Sequence, residues 1–298
     1  MMRKSLVCIS FALLCIHAYT SAQLPRTQVY SFRMRQEAGL PVVDQPLLLS
    51  AFNASGYNNQ VHFINSDSFF MVSNRTDTSQ TDIWMGSFSD QTWTRISGDA
   101  IPEYSPSWAK SENALYAVRV VAQNPAVQEL HRRSWPESET FQAVLPLASV
   151  GYYFIKSPDS CVVFTVGDPH QLWLYFPGTD RKPEFLCNDP GRCLQTGRDG
   201  KLYYVHKLSA DRWFLKSYNW SFVDGIIATM PTGVEDFAFD PEGRVYCARG
   251  SKLWLLAPED ESLEPWKEVA DLEKYGLKNV QRLAISPDGG KLIVVNYE

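Results

Sequence analysis

A chain of 298 residues with 45% hydrophobic side chains suffices for one large domain or two ordinary ones and carries ample apolar material for a core. Its formal charge of −5 is spread along the chain without a basic cluster, which excludes the electrostatic footprint of nucleic-acid binding and of attachment to an anionic membrane surface. Aromatic residues make up 13% and recur in short apolar runs, a composition of strands packed face to face more than of amphipathic helices.

The first residues read as a targeting segment. Arg3 and Lys4 give a positive start, Leu6 to Ile16 form an apolar run too short to span a bilayer, and Thr20, Ser21 and Ala22 are small residues before a cut near Gln23. Residues 1–22 are therefore expected to be a signal peptide and residues 23–298 a single exported domain, secreted or periplasmic. Acylation at Cys15 is disfavoured by the bulky Leu14 before it. No later apolar stretch approaches the roughly 18 residues of a membrane helix, so no membrane span is expected.

After the leader, two apolar segments, Tyr30 to Arg35 and Pro46 to Leu49, precede a repeat of apolar strand, polar turn and second apolar strand. The first copy runs from Val61 through Asn65-Ser66-Asp67-Ser68 to Val72, the second from Pro106 through Ser111-Glu112-Asn113 to Val118, the third from Tyr152 through Ser157-Pro158-Asp159-Ser160 to Phe164. The fourth passes through Arg198-Asp199-Gly200, the fifth through Asp240-Pro241-Glu242-Gly243, and the sixth through Ser286-Pro287-Asp288-Gly289. Proline fixes φ, aspartate bonds its own backbone and glycine accepts positive φ, so each turn is a hairpin signal with a mechanism. The spacing of roughly 40–47 residues is that of a four-stranded propeller blade. Third strands follow, as in Asp82 to Met85 and Gln171 to Tyr175. The sixth copy has only two strands before Glu298. The segments ahead of the first copy are expected to complete it, closing an all-β, six-bladed β-propeller through its termini.

Four cysteines follow the leader. Cys187 and Cys193 flank a Pro-Gly turn, and two readings fit them: a disulfide closing this small loop in an oxidising compartment, or small buried side chains, as for Cys161 and Cys247 inside strand-like runs. Their spacing does not suit zinc. Sequons occur at Asn53, Asn74 and Asn219, near the number expected by chance.

The segments Gly56 to Gln60, Thr81 to Trp84, Glu103 to Pro106, Val150 to Tyr153, Gly191-Arg192, Glu235 to Ala238 and Arg282 to Gly289 resemble the repeats of TolB-like β-propellers over nearly the whole mature chain. The resemblance implies a six-bladed propeller and a binding or scaffolding role.

In such a ring the innermost strands line a channel, and the residues entering them gather at one mouth. That places Asn58, Asn59, Gln60, Glu103, Tyr104, Tyr153 (or its neighbour Tyr152), Arg192, Glu235, Asp236 and Arg282 as candidate ligand-binding groups. The same charges also fit an inter-blade clamp, with Arg192 and Arg282 paired to Glu103, Glu235 or Asp236. No metalloprotease, nucleophile-elbow or phosphate-loop motif is present. Two functions follow: an exported module binding a small polar or anionic ligand, a glycan, a peptide or another exported protein; and a calcium-dependent lactonase-like hydrolase. In the second, Asn59, Glu103, Glu235 or Asp236 would hold calcium, opposed by two arginines at the same mouth. The first needs no cofactor.

Overall fold

The computed structural model describes residues 24–121, 127–221, 224–257 and 265–298; the leader and Cys15 lie outside the described residues. Apolar runs of five to ten residues bounded by turn formers are too short for stable helices, so each run pairs with the next across its turn. Among the described residues the result is six antiparallel sheets of four strands. β1 (Thr27–Glu37) and β2 (Leu40–Leu48) come first in the chain. Blade 1 is β3 (Asn58–Phe63), β4 (Ser68–Asp77), β5 (Gln80–Ser87) and β6 (Trp93–Arg95); blade 2 is β7 (Glu103–Ala109), β8 (Ala114–Val120), β9 (Gln128–Ser134) and β10 (Gln142–Ala143). Blade 3 is β11 (Val150–Ser157), β12 (Ser160–Thr165), β13 (Gln171–Tyr175) and β14 (Glu184–Asn188); blade 4 is β15 (Pro190–Thr196), β16 (Leu202–Lys207), β17 (Trp213–Tyr218) and β18 (Asp224–Thr229). Blade 5 is β19 (Phe237–Phe239), β20 (Val245–Arg249), β21 (Lys252–Leu256) and β22 (Trp266–Asp271). Blade 6 is composite: β23 (Val280–Ile285) and β24 (Lys291–Tyr297) are completed by β1 and β2 in the order β2-β1-β24-β23.

The expected closure is therefore present, with β1 and β24 in register from Thr27 opposite Tyr297 to Arg33 opposite Lys291. Among the described residues the core consists of six apolar clusters, one between each pair of neighbouring blades. Between blades 1 and 2, for instance, Phe70 and Ile83 meet Leu115 and Ala117. A blade between two neighbours buries both faces, so β8 is buried at every residue and shows no in–out alternation.

This layering corrects the proposed Cys187–Cys193 bridge. Neither is joined in a disulfide in the structure. Cys187 projects into the cluster between blades 3 and 4, whereas Cys193 borders that between blades 4 and 5, so the sheet of blade 4 separates the two sulfurs. Two sequons also acquire structural roles: Asn53 Nδ2 donates to Ser73 Oγ and Asn74 Oδ1, each at 3.0 Å, and Asn74 Oδ1 accepts from the Tyr57 amide at 2.8 Å. These amides pin the loop leading into β3.

Candidate functional site

The inner strands β3, β7, β11, β15, β19 and β23 adjoin around the axis, β3 against β7 and β23, and β15 against β11 and β19. Five of them break register near their entering ends, between Asn59 and His62, Tyr104 and Ser107, Val150 and Tyr152, Pro190 and Leu194, and Val280 and Arg282. Gln60 (φ 55°) and Ser105 (φ 50°) take left-handed backbone there. Such bulges re-aim side chains, and here they turn polar groups toward the axis.

The charges that meet at this level form one small cluster. Arg192 Nε donates to Asp236 Oδ2 at 2.6 Å, its Nη2 to the Gln281 carbonyl at 3.2 Å, and its backbone amide to Glu235 Oε2 at 3.2 Å. Glu235 Oε1 is held by Lys207 Nζ at 3.0 Å. Arg282 reaches the same Asp236 only at 3.7 Å, through Oδ1, and donates Nη2 to the Tyr152 hydroxyl at 2.9 Å. Its Nε is buried without a partner among the described residues. The set holds three cations, Arg192, Lys207 and Arg282, against two carboxylates, Glu235 and Asp236, so one positive charge is left over and falls on Arg282. Burial opposes that charge, but Asp236 and the phenols of Tyr152, Tyr57 and Tyr297 outweigh it and hold Arg282 firmly protonated.

Three cavities surround this cluster. One of about 170 Å³ lies at the entering face beside Arg192, Glu235, Arg249 and Gln281. A second, about 130 Å³, is bordered by Gln60, Arg192, Gln195, Asp236 and Arg282. The largest, about 450 Å³, runs from Gln60, Tyr152 and Arg282 down the inner strands to their far ends at Phe63, Ala109, Ile155, Thr196, Phe239 and Ile285, a volume within the range of small-molecule sites. The main space thus extends toward the hairpin turns, where Thr196 and Pro287 are exposed, and away from the mouth that the sequence pointed to.

Of the candidate residues, Gln60, Tyr153, Arg192, Glu235, Asp236 and Arg282 border these cavities. Asn58, Asn59, Glu103 and Tyr104 do not. Asn58 is fully buried, its Nδ2 donating to the carbonyls of Thr27 and Asn53, each at 2.9 Å. Asn59 donates to the Tyr297 hydroxyl at 3.0 Å and accepts the Gln60 amide. Glu103 is enclosed beside Arg119 at 3.1 Å, and Tyr104 packs on the cluster between blades 2 and 3. Tyr152, not Tyr153, meets Arg282; the Tyr153 hydroxyl donates to the Ser105 carbonyl at 2.7 Å and accepts from Ser107 Oγ at 3.1 Å, tying blade 3 to blade 2. Of the proposed calcium ligands, Glu103, Glu235 and Asp236 each face a cation, Arg119, Lys207 or Arg192, and no group of three or more His, Cys, Asp or Glu side chains placed to hold a metal occurs among the described residues. Sequence reasoning missed His62, Ser105, Gln195 and the apolar lower wall; His62 is held neutral, its pKa pushed down to about 4 by burial.

No protein-family model and no curated protein matches the chain. Solved structures do. A putative TolB from Agrobacterium tumefaciens is similar at 11% identity and a TM-score of 0.62, over 92% of this chain and 99% of that one. TolB from Acinetobacter baumannii is similar at 12% identity and a TM-score of 0.55, over 91% of this chain; the match spans 64% of the TolB chain. A gluconolactonase from Xanthomonas campestris is similar at 10% identity and a TM-score of 0.56, over 92% of this chain and 97% of that one. The likeness is one of fold, a six-bladed propeller.

Proposed function

We propose that this protein is an exported binding module whose central channel takes a small anionic ligand. The observation that carries this reading is the surplus charge on Arg282: one carboxylate, Asp236, serves two guanidinium groups and is spent on Arg192. A guanidinium has five N–H donors, and among the described residues those of Arg282 make one hydrogen bond, to Tyr152, so an anion finds both charge and unspent donors. Export rests on the character of residues 1–22.

The test is thermal shift of residues 23–298 with acetate, sulfate, phosphate and larger carboxylates. Binding to the folded state alone raises the melting temperature by mass action. At least one anion is expected to stabilise the native protein and not Arg282→Met, which keeps the volume and removes the charge. No shift with any anion, together with severe destabilisation by Arg282→Met, would make the arginine a structural clamp and end this reading.

A further inference from the structure

The cavity that touches Arg282 carries charge only at its inner end, Arg282 being the one ionised side chain of its lining among the described residues. Below Gln60, Ser105 and Arg282 one apolar side chain from each of the six blades, Phe63, Trp108, Ile155, Leu194, Phe239 and Ile285, shares the walls with Ser107, Gln195 and Thr196. A site for a sugar acid or an inorganic anion presents polar groups on every side of its ligand, because each buried hydroxyl or oxyanion needs a partner. Lower down Ser107 Oγ already donates to the Tyr153 hydroxyl and Gln195 Nε2 to the Phe237 carbonyl, so this site provides unspent donors at one end. The Ser105 hydroxyl is buried there without a partner among the described residues, like Arg282 Nε. His62 on the wall is neutral, and the Cys193 thiol is pushed up to about 12, so neither adds charge. At the open end Glu112 pairs with Arg132, Asp199 with Lys201, and Asp240 and Glu242 share Arg244, while Asp67, Asp159 and Asp288 lie on the other three turns.

Resting on the anion reading above, we infer that the ligand is an amphipathic organic monocarboxylate that enters from the hairpin face, carboxylate first. The carboxylate meets Arg282 and Ser105, and an aromatic or branched aliphatic body fills the apolar lower channel. A cavity of about 450 Å³ holds a body of metabolite size and excludes a folded partner. Charge complementarity sets the orientation, since Arg282 at the inner end is the one ionised side chain of the lining among the described residues and a reversed ligand would leave it without its carboxylate.

The experiment is calorimetric titration of the mature protein with acetate, butyrate, hexanoate and 4-phenylbutyrate, with gluconate as a hydrophilic carboxylate and 4-phenylbutyramide as an uncharged analogue. Affinity is expected to rise roughly fourfold for each methylene added, the equivalent of about 0.8 kcal/mol per buried CH₂, with gluconate and the amide weak. Leu194→Asn should weaken 4-phenylbutyrate at least tenfold and leave acetate unchanged; should that variant melt early, Ile155→Thr replaces it. Arg282→Met should remove binding of the whole acid series. If acetate, gluconate and the longer acids bind alike, the anion site stands and the amphipathic ligand is refuted. If the amide binds as tightly as the acid, the head-group assignment fails, and if nothing binds, both readings fail.

Discussion

Single side chains near the channel divide into those that carry unspent chemistry and those that hold the blades. Arg282 belongs to the first group. Glu103 belongs to the second, and its position allows a prediction with a definite sign. It is fully buried beside Arg119. Burial pushes its carboxyl up to about 7 from the ordinary 4.5, against the lowering effects of Ser97 and Arg119. A carboxyl whose folded pKa is raised binds its proton more tightly in the native state, so its contribution is complete below pH 4.5 and is lost as pH rises through 7. Glu103→Gln fixes the neutral form. Relative to the native protein, the variant should therefore gain stability between pH 5 and pH 8, by about 2 kcal/mol, as read from urea unfolding at both values. His62 titrates with the opposite sign, its depressed pKa giving stability above 6.5 that is lost as pH falls through about 4, but it is present in both proteins and cancels in the difference. A difference that stays flat from pH 5 to 8 would mean that Glu103 is ionised throughout beside Arg119.

The inner strand is the element that turns this chemistry toward the axis, and its backbone tolerates little added volume. Gly191 sits where β15 passes β16, and a Cβ there would fall 2.8 Å from Val205 Cβ. Gly191→Ala should cost about 1–3 kcal/mol by overpacking and displace Arg192 beside it, whereas Gly98→Ala, with no atom within 4 Å of its added carbon, should stay within about 0.5 kcal/mol. Equal unfolding midpoints for the two variants would refute the close approach. The same strands explain what could be read beforehand. Hairpins such as Ser286-Pro287-Asp288-Gly289 were legible because turn chemistry is local: Ser286 Oγ donates to Asp288 Oδ1 at 2.6 Å, and Gly289 takes φ 72°. Arg192, Asp236 and Arg282 were legible as a group because the repeat aligned the entries of their blades. The parity of Tyr152 and Tyr153 was not, since it depends on a register break between Val150 and Tyr152 that depends on pairing with β12. Nor was the separation of Cys187 from Cys193, which only five intervening residues disguise and an entire sheet enforces. The apolar lower wall was hidden for a related reason: Phe63 and Phe239 read as ordinary strand hydrophobics until a ring of six strands leaves a space between them.

The ring as a whole stands or falls with the composite blade. β1 contributes to two interfaces at once, Val29 to the cluster between blades 6 and 1, and Phe32 and Met34 to that between blades 5 and 6. It also fastens blade 1 directly, since Thr27 Oγ1 donates to the Asn58 carbonyl at 2.7 Å and accepts the Asn58 amide at 2.8 Å. Deleting residues 27–48 would expose β24 as an unpaired edge and remove apolar packing from both flanking interfaces, with no neighbouring blade able to move in and restore it. The expected product is insoluble or melts without a cooperative transition. Loss of residues alone would give the same result, so the closure argument needs a second protein that keeps every residue and changes only the connection. The termini permit one: the Glu298 amide donates to the Arg26 carbonyl at 3.2 Å, and the two side chains form an ion pair at 3.1 Å, so a short Gly-Ser linker spans them. New ends fit in the β1–β2 turn, where Gly39 has φ 82° and open space around it and Leu40 is exposed. This permutant carries β23, β24 and β1 in one continuous stretch and asks only β2 to pair from the opposite terminus. It should be soluble and melt within a few degrees of the native protein by differential scanning calorimetry, while the deletion does not. A deletion variant that melts cooperatively at the native temperature would show that four strands in the sixth blade are not what closes the ring.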